Sequence, residues 1–372
     1  MPEQHVKIAF THPAADYDIR LGSGLLSGAG RWAKASLGRE TRRILIVSNS
    51  TVFKLYGSQV TSALGDAGVS VSTFLMKDGE RFKTLKTAES VMQTMAENGI
   101  TRTDAVIALG GGVVGDLAGF AAAIYLRGIA FLQMPTSLLA MVDSSVGGKT
   151  GVNANVGKNR IGAFHQPRGV LIDTNVLKTL PRRELTAGLC EMIKHGAIGG
   201  KRLLDITADT LGDVTTLRFA DLIAENVKFK ASIVAGDERE SSKRIDARSR
   251  KILNFGHTLG HALEKVTNYR YFKHGEAVGY GILFAAQLSK ELDLLPQKDV
   301  NSLYDVVHRA GELPPLDGID GKEVFEAFKF DKKHLSGSLQ MVLLKGIGKP
   351  IILSERDIPR STIQRVLKML LK

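Results

Sequence analysis

The first half of the chain alternates short apolar runs with segments of helical periodicity, and this alternation most restricts what it can fold into: a layered α/β domain. The runs at 44–48 (ILIVS), 71–75 (VSTFL), 105–110 (AVIALG), 128–135 (GIAFLQMP) and 170–174 (VLIDT) read as strands. Between them, 58–68 and 87–99 carry apolar residues at helical spacing, the second stopping at Gly99. Beyond Leu180 the pattern changes to long helical segments at 184–198 and 277–292, with few strand-like runs before 339–348. The expected organisation is an α/β domain over residues 1–177 and a mainly α-helical domain over 178–372, joined near Asn175 to Pro181.

With 372 residues, 44% of them hydrophobic and 24% charged, the chain can bury a large core. No stretch reaches the ~18 apolar residues of a membrane span, and the start lacks a basic segment leading into an apolar one. A cytoplasmic location is the expectation. Cys190, the single cysteine, can form neither an internal disulfide nor a thiolate metal site, and reads as a small buried residue. A net charge of +12 raises the question of nucleic acid. There is no long basic run and no zinc-finger or RNP-type motif, so nucleic acid is not the expected partner. The basic residues sit singly among glycines, which suits a pocket for a small anion; Arg42, Arg43, Arg182 and Arg183 read as solvated surface.

Three segments carry chemistry. The first, GGGVVGDLAGF (110–120), follows the strand at 105–110 and opens a helical pattern. Its glycines let backbone amides approach a phosphate, and the helix adds its N-terminal dipole. The spacing is not GxGxxG, so the usual dinucleotide fingerprint is absent. The second, 143–167, is rich in glycine and small residues, includes Lys149, Lys158, Asn159 and Arg160, and reads as a loop that a ligand would order. Its GGKT is not a P-loop, because Asp143 occupies the first glycine's place. The third gathers Glu191, His257, His261 and His274. His257 and His261 share a helix face, but Thr258 follows the first histidine, which disfavours HExxH peptidase chemistry. Two histidines and one glutamate with an open position make a catalytic zinc-type donor set. His5, His12 and His308 lack such a setting and read as surface.

Taken in order, GGGVVGDLAGFAAAIYLRG, MPTSLLAMVDSSVGGKTGVN, GKNRIGAFHQP, ELTAGLCEMIKHG, LNFGHTLGHALE, HGEAVGYG and FDKK resemble the 3-dehydroquinate synthase family, from about Gly79 to Gly348. The resemblance implies an N-terminal α/β domain binding NAD and a C-terminal helical domain, with the active site between them. It implies Glu191, His257 and His274 as ligands of a divalent metal, zinc or cobalt. NAD would lie on Gly111, Gly112 and Asp116, with Glu80, Lys83, Thr136, Ser137, Asp143, Lys149 and Lys158 nearby. An anionic sugar phosphate would be held by Lys149, Lys158, Asn159, Lys194, Lys230, Arg250, Asn254, His261 and a lysine of the pair Lys332 and Lys333. Arg127 would bind phosphate across a homodimer interface. The implied reaction is oxidation of a ring carbinol by NAD, loss of phosphate, re-reduction, ring opening and aldol closure.

The sequence departs from the family at two places. Asn49 and Thr51 stand where an Asp and an Asn often hold the adenosine ribose. The link from DERE to the arginine four before Asn254 is several residues longer, which assigns that arginine to Arg250, ahead of Arg244 and Arg248. Two alternatives stay open. A metal-dependent polyol dehydrogenase shares the cofactor and metal logic but has no use for the cations. A valiolone-type cyclase takes a substrate without a carboxylate, which Asn254 and the DKK lysines disfavour.

Overall fold

In a computed structural model, residues 16–155, 157–212, 217–241, 243–334 and 340–371 are described, without the side chains of 217 and 329–334. His5 and His12 lie outside these residues, as do the side chains of Lys332 and Lys333.

Six parallel strands form the sheet, in the order β1 (Asp18–Gly22), β8 (Gly169–Asp173), β5 (Ala130–Pro135), β4 (Ala105–Gly110), β2 (Arg43–Asn49), β3 (Ser70–Met76). Helices α1 (Ala29–Leu37), α2 (Ser50–Val52), α3 (Ser58–Asp66), α4 (Leu85–Glu97) and α5 (Gly112–Ile124) are interleaved with them. The sheet is buried on both sides, which is why β4 reads as an unbroken apolar run. Ile44, Ile46, Ile107, Leu109 and Leu132 face one core; Leu45, Val47, Val106, Ala108 and Phe131 face the other, under α4 and α5. Strand order reverses between β2 and β4, because β3 lies outside β2 while β4 lies inside. In open α/β sheets such a switch point leaves a crevice at the strands' carboxyl ends, here at Asn49 and Gly110.

The segment 143–167 is not the loop expected. It contains an antiparallel hairpin, β6 (Lys149–Ala154) with β7 (Gly157–Phe164). Its glycines serve close packing of strands: a Cβ on Gly151 would lie 2.7 Å from Ile161 O, and one on Gly162 2.4 Å from Thr150 O.

The remainder is mainly helical: α6 (Arg182–Gly199), α7 (Lys201–Thr210), α8 (Leu217–Gly236), α9 (His257–Val266), α10 (His274–Glu291), α11 (Gln297–Ala310), α12 (Gly321–His334) and α13 (Arg360–Leu370). One antiparallel pair, β9 (Gln340–Leu344) with β10 (Pro350–Ser354), packs against α10. The first sheet core runs on into this region through Leu189, Ile193 and Leu259. Cys190 is fully buried, as expected, and burial pushes its thiol pKa up. His308 is exposed. Arg183 is exposed, as expected, and also donates from Nε and Nη2 to the two oxygens of the buried Glu276, at 2.7 and 2.6 Å. No helix among the described residues is long and apolar enough to cross a membrane.

Candidate active site

Glu191 lies within α6, while His257 and His274 are the first residues of α9 and α10. Close helix contacts bring them together. A Cβ on Gly275 would fall 1.9 Å from Ala187 O, so α10 starts against the turn of α6 that leads to Glu191. A Cβ on Gly281 would fall 1.7 Å from Gly256 O; Gly256, at φ +80°, takes the left-handed turn that starts α9 at His257.

Glu191 Oε1 lies 3.6 Å from His274 Nε2 and 3.8 Å from His257 Nε2. Each imidazole has an acceptor behind it: Phe255 O lies 3.1 Å from His257 Nδ1, and Glu264 Oε2 lies 3.0 Å from His274 Nδ1. A neutral ring in either place therefore carries its hydrogen on Nδ1 and turns the Nε2 lone pair toward Glu191. Glu191 Oε1 accepts no hydrogen bond among the described residues, whereas Oε2 is held by the Lys194 ammonium. Three electron-pair donors thus face one another without a hydrogen between them, an arrangement that fits a divalent cation. Burial holds His257 well below the usual imidazole range, assisted by Lys194 and His274. His274 is affected by burial in the same sense, but the Glu264 carboxylate outweighs it and raises the group. His261 completes the cluster, its ring 5.3 Å from that of His257 and 5.8 Å from that of His274.

A second group, Asp143, Glu191 and His195, also brings ligand atoms within 4.8 Å of one another. Two ammonium groups crowd it: Lys230 at 2.7 Å and Lys194 at 3.5 Å from Asp143 Oδ1. His195 Nδ1 is 3.1 Å from Asn226 Oδ1. Burial would raise the Asp143 carboxyl, but Lys194 and Lys230 hold it well below the usual range. Lys230 and Lys194 both approach the one oxygen, Asp143 Oδ1, that faces His195, whereas Glu191 Oε1 faces the His257 and His274 nitrogens with no ammonium paired to it, so this group suits a cation less well than Glu191, His257 and His274.

The glycine turn stands at the crevice. Gly111 caps α5; a Cβ there would lie 3.3 Å from Ser137 Oγ, and one on Gly112 2.9 Å from Ser144 Oγ. Thr136 N–H donates to Gly110 O, and Ser137 Oγ accepts from Ala140 N–H, so both buried residues line the same strand ends. Below them Lys83, 3% exposed, donates to Asp116 at 2.9 Å and to Asn159 Oδ1 at 2.6 Å, and lies 3.3 Å from Glu80. Asn153 ties in Glu80 and the Asn159 N–H. Burial raises the Asp116 carboxyl against the pull of Lys83. At the neighbouring strand end Asn49 caps α2 by accepting from Val52 N–H, and Thr51 donates to Asp78.

Arg250 is 3% exposed, donates from Nη1 to Glu238 O at 2.7 Å, and runs beneath Gly147, where a Cβ would meet its Nη2 at 2.6 Å. Arg248 is exposed, and Arg244 turns back to Gly236 O and Asp246. Glu240, which reading the sequence passed over, is ion-paired with Lys149 and lies 3.5 Å from Asn254 Nδ2. Within DERE it looks like part of a solvated charge run; its φ of +52°, uncommon outside glycine, is visible only in the structure.

Arg127 stands apart. It lines a cleft of about 980 Å³ with Arg39, Arg102, His165, Gln166 and Arg168, and none of the other expected site residues lines it. Leu126 and Arg127 are consecutive left-handed residues, at φ +50° and +68°.

The fold and site together define a class: a two-part α/β and helical protein with a switch-point crevice, a carboxylate–histidine donor set and a surround of cations. The descriptions "3-dehydroquinate synthase N-terminal" and "3-dehydroquinate synthase C-terminal" match residues 73–187 and 188–334. A 3-dehydroquinate synthase of Synechococcus sp. is 41% identical over 371 residues, covering 98% of each chain. The chain belongs to the 3-dehydroquinate synthase family. Among solved structures, ValA, a 2-epi-5-epi-valiolone synthase from Streptomyces hygroscopicus with NAD+ and Zn2+ bound, has a TM-score of 0.87 at 26% identity, covering 98% of this chain and 99% of its own. A 2-deoxy-scyllo-inosose synthase complexed with carbaglucose-6-phosphate, NAD+ and Co2+ has a TM-score of 0.82 at 28% identity, covering 94% and 96%.

Proposed function

We propose that this chain acts as a 3-dehydroquinate synthase, a carbon–oxygen lyase that converts 3-deoxy-D-arabino-heptulosonate 7-phosphate to 3-dehydroquinate and phosphate in the shikimate pathway. The observation that carries this reading is the ion pair of Lys194 with Glu191 of the donor set, with Lys158 paired to Glu264 behind His274 and Lys230 paired to Asp143 beside Lys194. The relatives at about 41% identity bear the same name.

Glu191, His257 and His274 would hold the metal, zinc or cobalt, and the Gly111 and Gly112 turn with Asp116, Glu80 and Lys83 would hold NAD. A bound divalent cation supplies Lewis acidity at a substrate hydroxyl, and bound NAD supplies a hydride acceptor restored within the turnover. The protein's own part is electrostatic. Arg250, buried and fixed through Glu238 O, offers a planar fork to a carboxylate. Lys158, Lys194 and Lys230, with Asn159, Asn254 and His261, orient the remaining polar groups, and a lysine of the pair Lys332 and Lys333 contributes as well. Such preorganised charge assists departure of phosphate and holds the ring-opened chain for closure.

Arg127 lies on a different cleft from these residues, which supports a homodimer in which the partner's copy completes the phosphate site. The division at 177 and 178 is supported by the end of the sheet at Asp173 and the start of α6 at Arg182. A cytoplasmic location accords with a biosynthetic role on a small soluble substrate.

The nearest alternative is a valiolone-type reaction, since ValA shares the fold. Phosphate release from the acidic seven-carbon sugar phosphate should exceed release from sedoheptulose 7-phosphate by orders of magnitude. Equal or reversed rates would overturn the proposed substrate.

A further inference from the structure

Glu264 is 2% exposed and uses both carboxylate oxygens. Oε2 lies 3.0 Å from His274 Nδ1, and Oε1 accepts from Lys158 Nζ at 2.8 Å. The same ammonium sits 4.6 Å from the centre of the Tyr269 ring. Tyr269 is held there by the end of α9: its N–H donates to Glu264 O at 2.7 Å, and Asn268 and Tyr269 take left-handed angles of +53° and +56°. Lys158 belongs to the β6–β7 hairpin, whereas His274 begins α10. One buried side chain therefore joins a cation of the first half of the chain to a histidine of the second.

We propose that Glu264 is a positioning residue that fixes the His274 tautomer for metal binding and holds Lys158 in place, so that metal occupancy and the placement of Lys158 are coupled through a single carboxylate. The inference rests on the reading of Glu191, His257 and His274 as metal ligands. A carboxylate behind Nδ1–H keeps the lone pair on Nε2 and increases its basicity. Lys158 draws on the same negative charge, so its removal strengthens the hold of Glu264 on His274, and metal binding in turn alters how tightly Lys158 is held.

The test uses the full chain, stripped of metal and titrated with cobalt against a chelator, with the Co2+ absorption spectrum recorded. Glu264→Gln should weaken cobalt binding by roughly 10- to 100-fold and change the spectrum, with the melting temperature of the metal-free protein little altered. Lys158→Met should bind cobalt more tightly than wild type, and an unchanged affinity would contradict the coupling. A Glu264→Gln protein that binds cobalt like wild type, with the same spectrum, would overturn the proposal while leaving the metal site intact; a wild type that binds no cobalt overturns both. Should Glu264→Gln fail to fold, nitrogen-15 spectra of histidine in the metal-free wild type decide: hydrogen on His274 Nδ1 supports the proposal, and hydrogen on Nε2 contradicts it.

Discussion

Lys230 donates to Asp143 twice, to the carboxylate at 2.7 Å and to the backbone carbonyl at 2.6 Å. Burial nevertheless brings its pKa from 10.5 down to about 8, with Lys194 and Arg250 acting in the same sense against Asp143. If the ammonium form orients the substrate, kcat/KM should fall as pH rises through about 8, and Lys230→Arg should move that limb upward. Folding stability should change in the opposite sense. Between about 8 and 10.5 the unfolded chain binds the proton that the folded protein has lost, so this group's contribution to stability rises with pH there. A kcat/KM flat to pH 10 would remove Lys230 from the site.

The three arginines of the long link give a clean comparison. Arg250→Lys keeps the charge but loses the fork, and should cost about 1 to 3 kcal/mol of binding or transition-state stabilisation. Arg244→Lys and Arg248→Lys should leave KM and kcat unchanged. The opposite pattern would show the link to be misaligned.

Chelation should abolish activity, and zinc or cobalt should restore it, because Glu191 Oε1 and the two imidazole nitrogens are arranged as electron-pair donors. Glu191→Ala should lose metal binding measured by calorimetry. Full activity in protein shown to be metal-free would contradict the assignment.

Helix approach can be tested away from the ligands. Gly275→Ala would place a Cβ 1.9 Å from Ala187 O. Forcing α6 and α10 apart should lower stability by about 1 to 3 kcal/mol and weaken metal binding as His274 leaves Glu191. Gly65→Ala, in α3 with nothing within 4 Å of the added carbon, should be neutral or slightly stabilising in the same denaturation assay.

Much of this arrangement is legible in the sequence where the signal is local. The strand at 44–48 appears as Arg43–Asn49, and the helix at 87–99 as Leu85–Glu97, because a buried parallel strand and an amphipathic helix each write their own period into the chain. The β6–β7 hairpin was not legible, since close-packed glycines look like loop glycines until the partner strand is known. Glu191, His257 and His274 stand out by residue type, yet their shared focus depends on glycine contacts between distant helices. Glu240 and Glu264 were missed for a related reason. Their partners Lys149 and Lys158 lie 91 and 106 positions away, and a lone glutamate beside a basic residue reads as surface. The pairing of the exposed Arg183 with Glu276, 93 positions away, was out of reach for the same reason.

The central claim is that hydride leaves the substrate and returns to it, so that NAD is needed only in catalytic amount. Supplying the acidic sugar phosphate with NAD far below its concentration, and following phosphate together with reduced-nicotinamide absorbance, tests this directly. The account predicts phosphate exceeding NAD many-fold with little NADH accumulated; NADH rising in step with product, and turnover ending when NAD is consumed, would contradict it.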